Sequence, residues 1–136
     1  MTFQNLEFHD KGTLLARVLS GSFPEGTHFH TQDEQFIQVA TMRWDEDHHM
    51  KAHKHNTYKR EFFRTNEVMV VRQGRVKATL YNDDGEIVEY ILLSAGDIII
   101  FHAGGHAFDT IDPDTEIVEI KNGPFTDVAT DKTFLE

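Results

Sequence analysis

From residue 36 onward the chain is cut into short apolar or alternating runs, each closed by Gly, Asp, Asn or Pro. No long stretch carries apolar residues at helical spacing, so backbone groups have to be satisfied between strands. Phe36 to Trp44 alternates, with Phe36, Gln38, Ala40, Met42 and Trp44 on one side. Glu67 to Val71 is a dense β-branched run that ends at Gln73-Gly74. Arg75 to Tyr81, the turn Asn82-Asp83-Asp84-Gly85 and Glu86 to Leu93 read as a hairpin, because Asp-Gly between strand-like runs suits a tight turn. Ser94-Ala95-Gly96-Asp97 turns again, Ile98 to Phe101 is a short buried strand, and Gly104-Gly105 breaks it. Thr115 to Lys121 is the last clear strand, closed by Asn122-Gly123-Pro124. Strands at this spacing predict an all-β fold, a sandwich or a closed barrel.

The 136 residues show no repeat and no linker, which fits one domain over 1–136. A chain of this length can bury a core without a disulfide or a structural metal. Residues 36–121 make the expected barrel. Residues 1–35 are expected to add strands or an arm exchanged in a homodimer, and 122–136 a tail with at most a short helix. There is no cysteine, so thiolate ligands, disulfides and Cys nucleophiles are all excluded. The start, MTFQNLEFHD, lacks the basic and apolar regions of a signal peptide, and no apolar run is long enough to span a bilayer. A cytoplasmic location is the expectation.

The formal charge of −10 argues against nucleic acid and anionic membranes as partners. That charge is unevenly spread. Arg43 to Lys77 holds nine of the 13 Lys and Arg residues against five acids, and four of the nine His residues. Such a segment is either a solvated basic face or a local site for a small anion, a phosphate- or carboxylate-bearing ligand.

Within it, His53 and His55 stand two apart, a spacing that on a strand turns both imidazoles to one side. Glu67 opens the next strand, and His106 follows the Gly104-Gly105 break, where a strand enters a loop. Three imidazoles and a carboxylate suit one divalent transition metal, Fe, Mn, Co, Ni, Cu or Zn, over Ca or Mg. Glu61 is an alternative carboxylate, and His55 is the ligand most easily turned away.

The order His53-x-His55, Glu67, six residues and Gly74, then Gly96, five residues, His102-Ala103-Gly104 and His106, resembles the two motifs of the cupin superfamily. The resemblance covers residues 36–121 and extends to Gly104-Gly105-His106-Ala107-Phe108 and Glu119-Ile120-Lys121-Asn122-Gly123-Pro124. It is similar to small single-domain bacterial cupins associated with sugar or surface-polysaccharide genes. The sequence departs from that pattern in three ways. His55 and Glu67 are separated by eleven residues, the second motif has His102 in place of its Pro, and its terminal Asn is absent. The resemblance implies a double-stranded β-helix (jelly-roll) barrel, a metal held by His53, His55, Glu67 and His106, and a homodimer.

Asn56 to Asn66 holds Tyr58, Lys59, Arg60 and Arg64, either a surface loop anchored by Phe62 or Phe63 or a rim that binds an anionic substrate. Glu119 and Lys121 share one side of their strand, and the resemblance turns that side inward. His102 is expected either to orient a metal ligand or to act as a base, with Tyr58 and Lys121 as other candidate bases. His48 and His49 read as exposed, His28 and His30 as strand or loop residues, and Trp44 with the Phe residues as core. The implied functions are a sugar isomerase or epimerase acting on a nucleotide- or phosphate-linked sugar, a metal-dependent Fe oxygenase, or a non-catalytic sensor of a small molecule or metal.

Overall fold

The computed structural model describes all 136 residues. Its strands are β1 (Gln4–Asp10), β2 (Thr13–Ser20), β3 (Gly26–Phe29), β4 (Ala40–Arg43), β5 (Glu67–Gln73), β6 (Val76–Tyr81), β7 (Ile87–Leu93), β8 (Ile98–Phe101), β9 (Gly105–Thr110) and β10 (Glu116–Lys121). A single helical turn, α1 (Val128–Asp131), follows. The strands form three antiparallel sheets, ordered β1-β2-β8-β5-β10, β7-β6-β9 and β3-β4. No sheet closes on itself, so the all-β expectation is met by open sheets. No helix is long and apolar enough to cross a membrane.

The two larger sheets face each other. Alternate residues of the five-stranded sheet, Ala16, Val18, Met69, Val71, Ile99 and Phe101, meet Val76, Ala78, Leu80, Ile91 and Leu93 of the three-stranded sheet in one core. The opposite side of the five-stranded sheet is also covered. Leu19, Val68 and Ile100 are buried there under Phe3, Ile37 and Val39. This double burial explains why Val68 to Val71 and Ile98 to Phe101 are continuous apolar runs instead of alternating ones. Each fully buried side chain of this size contributes roughly 1.5–3 kcal/mol relative to exposure.

β2 runs next to β8 in the chain's own sheet and places Ala16 and Val18 in the core, so this part of the N-terminal region is integral to the fold. The hairpin of β6 and β7 is closed by Asn82, whose side-chain oxygen accepts from the N–H groups of Asp84 and Glu86 at 3.0 Å each. Of the alternating run 36–44, only Ala40–Arg43 forms a strand. Trp44, expected in the core, is 45% exposed and stacks on His48.

Gly104 carries a positive φ of 69°, and a Cβ there would run into the Tyr81 carbonyl oxygen. Gly12 has a similar φ of 84° but open space around it. Gly104→Ala is therefore expected to destabilise the fold by well over about 2 kcal/mol, and Gly12→Ala by about 1 kcal/mol. Urea unfolding of both variants checks this; equal losses would contradict the close approach.

Candidate functional site

At one end of the sandwich the apolar inner face gives way to polar side chains. Cross-strand register aligns them. Glu67 stands opposite Lys121, and Glu119 opposite Met69, across the β5–β10 pair. Met69 lies in the core, so Glu67, Glu119 and Lys121 share its inward side. On the other sheet His106 stands opposite the buried Leu80. His106 thus belongs to strand β9, correcting the expectation that it lies in a loop.

Glu67 and His106 meet between the sheets. The Glu67 Oε2 atom lies 2.8 Å from His106 Nε2, and the imidazole stacks on the Phe101 ring with centroids 3.8 Å apart. A carboxylate only accepts in this bond, so Nε2 carries the hydrogen, and Nδ1 is the lone-pair nitrogen whenever the ring is neutral. The pair lines a cavity of about 780 Å³ together with Glu119, Lys121 and Arg64. The C-terminal tail from Pro124 forms one wall. Lys121 Nζ lies 3.4 Å from Asp131 Oδ2 of that tail.

Two residues with no assigned role in the sequence hold this platform. The Asn66 side chain donates to the carbonyls of His102 (2.9 Å) and Phe101 (3.4 Å), and its backbone N–H donates to the Asn122 side-chain oxygen (2.9 Å). Asn122 donates in turn to the Arg64 carbonyl at 3.1 Å. The only signal for them in the sequence is position: each adjoins a charged residue at a strand end.

The remaining candidates lie elsewhere. Residues 42–65 are all exposed, and 44–66 contain no strand. His53 and His55 are therefore not two neighbours on one strand face. Their rings lie 5.4 Å apart, and His53 Nδ1 is hydrogen-bonded to the Lys51 carbonyl. No three His, Asp or Glu side chains are grouped to hold a metal ion. Two donors, Glu67 and His106, converge where four were expected, and His53 and His55 do not join them. Tyr58 is 61% exposed and bonded to Arg60, and Lys59 pairs with Glu61 at 2.9 Å. None of Tyr58, Lys59 and Arg60 lines the cavity; Arg64 does. Phe62 and Phe63, expected to anchor the loop in the core, are exposed and pack on Phe36. The other basic residues of the segment face outward: Arg75 pairs with Asp112, Lys77 with Asp109 and Arg72 with Glu116.

His102 is buried, 6% exposed, on a separate cleft of about 280 Å³, and neither ring nitrogen has a hydrogen-bond partner. Burial, reinforced by the nearby Arg17 cation and opposed by Glu7, lowers its pKa from 6.5 to about 4. It is a neutral core imidazole and does not line the cavity of Glu67 and His106. No family model, curated protein or solved structure matches the chain.

Because the folded-state pKa of His102 is depressed, protonation favours the unfolded chain as pH falls from 6.5 towards 4. Wild type is expected to lose about 2 kcal/mol of stability relative to His102→Leu between pH 7 and pH 4.5. Urea unfolding of both proteins at the two pH values reads this; parallel losses would show that His102 protonates in the native state as readily as in the unfolded chain.

Proposed function

We propose that the chain is a small-molecule isomerase or epimerase that moves a proton on a nucleotide- or phosphate-linked sugar, using Glu67 and His106 as one unit. The observation that carries this reading is the 2.8 Å contact between a largely buried carboxylate and an imidazole on the wall of a ligand-sized cavity. Glu67 fixes the ring orientation, and His106 Nδ1 takes a proton from a carbon next to a carbonyl. The electron pair moves onto the carbonyl oxygen as the C–H bond breaks. Return of the proton to the other side of that carbon gives an epimer; return to the neighbouring carbon, with the hydroxyl proton shifting, gives an isomer. No redox partner is consumed.

Lys121 and Arg64 are the cations that β10 and the residues before β5 supply to the cavity. One meets the developing oxyanion and the other the fixed anionic group of the ligand. Glu119 accepts from sugar hydroxyls. The cupin-type jelly roll belongs to this proposal too. Its support is the order Glu67, Gly74, Gly96 and His106 along an antiparallel all-β chain that places Glu67 beside His106.

The test is solvent deuterium exchange into carbon-bound positions of ketose phosphates and nucleotide-linked keto sugars. Wild type is expected to catalyse exchange, with Glu67→Gln and His106→Asn slower by about 10²-fold or more. Binding of these sugars without any exchange would make the protein a sensor and overturn the enzymatic reading.

A further inference from the structure

The C-terminal tail walls one side of the cavity, yet the sheets hold it weakly. No backbone hydrogen bond joins residues 124–136 to a strand; the tail's own bonds run from the Asp131 and Lys132 N–H groups to the Asp127 and Val128 carbonyls. α1 buries no residue, and a single turn has no stability of its own in water. Few side-chain contacts dock it. Asp131 Oδ2 reaches Lys121 Nζ at 3.4 Å, Phe125 lies beneath the same ammonium group, and Leu135 lies against Gly105, where a Cβ would come 2.5 Å from its Cδ1.

The charges of the tail are also uneven. It brings Asp127, Asp131 and Glu136 to the cavity against one cation, Lys132. With the tail in place an anionic ligand meets carboxylates, and the Lys121 ammonium is already engaged. With the tail lifted, Lys121 is free and three of the lining carboxylates leave.

We propose that Asp131 is an internal competitor for the ligand's anionic group, and that a phosphate- or carboxylate-bearing ligand enters by displacing Asp131 from Lys121 and lifting the tail. This rests on the proposed sugar-anion site and assigns Lys121 to the fixed anion, leaving Arg64 for the oxyanion. Binding of the open form alone makes the apparent affinity proportional to the open fraction. Loosening the tail therefore tightens binding without adding a contact.

The experiment is calorimetric titration of the protein with glucose 6-phosphate and, separately, inorganic phosphate. Asp131→Asn removes the competing charge, Leu135→Ala loosens the tail but keeps that charge, and Lys121→Gln removes the anchor. Asp131→Asn and Leu135→Ala are expected to tighten glucose 6-phosphate binding about three- to tenfold, and Lys121→Gln to weaken it at least tenfold. Amide hydrogen exchange of residues 125–136 in wild type is expected to accelerate when ligand is added, a readout that needs no variant. Weakening by Lys121→Gln together with unchanged or weaker binding by Asp131→Asn would overturn the tail proposal and leave the anion site standing. Wild-type affinity in Lys121→Gln, or no anion binding by any variant, would overturn both.

Discussion

Asn66 is the point on which the geometry of the site depends. Its side chain is 3% exposed and donates to the carbonyls of Phe101 and His102, and its backbone is bonded to Asn122. One residue thus ties together the ends of β5, β8 and β10. Glu67 follows it directly, Lys121 directly precedes Asn122, and Phe101 supplies the ring on which His106 stacks. A buried amide with its donors used fixes direction in a way that apolar packing does not, because leaving a buried donor unpaired costs about 1–3 kcal/mol. The polar end of the sandwich is therefore as well defined as its core.

The pair of Glu67 and His106 also joins the two sheets. One partner comes from the five-stranded sheet and the other from the three-stranded sheet. Sheet-to-sheet packing is otherwise apolar, through residues such as Met69, Ile99, Leu80 and Leu93. A polar contact at the end of such a core sets how the sheets meet there, and the cavity opens where that contact replaces hydrocarbon.

Much of the strand pattern is legible in the sequence. The runs Glu67 to Val71 and Ile98 to Phe101, and the hairpin at Asn82-Asp83-Asp84-Gly85, are strong local signals, and they became β5, β8 and the β6–β7 hairpin. The cupin-like motif order singles out Glu67 and His106 as metal ligands, and strand alternation with the same resemblance singles out Glu119 and Lys121; the structure brings Glu67 and His106 into contact. Two of the misses share a physical cause. The alternation through Phe36 to Trp44 has the period of a strand, but a strand also needs a partner for each backbone group, and only Ala40–Arg43 finds one, in β3. The inference that His53 and His55 share a face assumed the same kind of pairing, which 44–66 does not have. The local excess of Lys and Arg did not translate into a basic cavity, because Arg72, Arg75 and Lys77 lie on strands or turns where acids of the β9–β10 region meet them on the outside. Asn66 carries no pattern beyond its place before a strand, and Asn122 reads only as part of the turn that closes one; their importance comes from which strand ends lie beside them.

The most direct test of this account is the protonation pattern of the His106 ring in long-range 1H–15N spectra of the neutral imidazole. The structure predicts the Nε2–H tautomer in wild type, with Nε2 hydrogen-bonded, and a displaced Nε2 signal in Glu67→Ala, which removes the acceptor. A ring with Nδ1–H, or a spectrum that Glu67→Ala leaves unchanged, would contradict the pair on which the site is built.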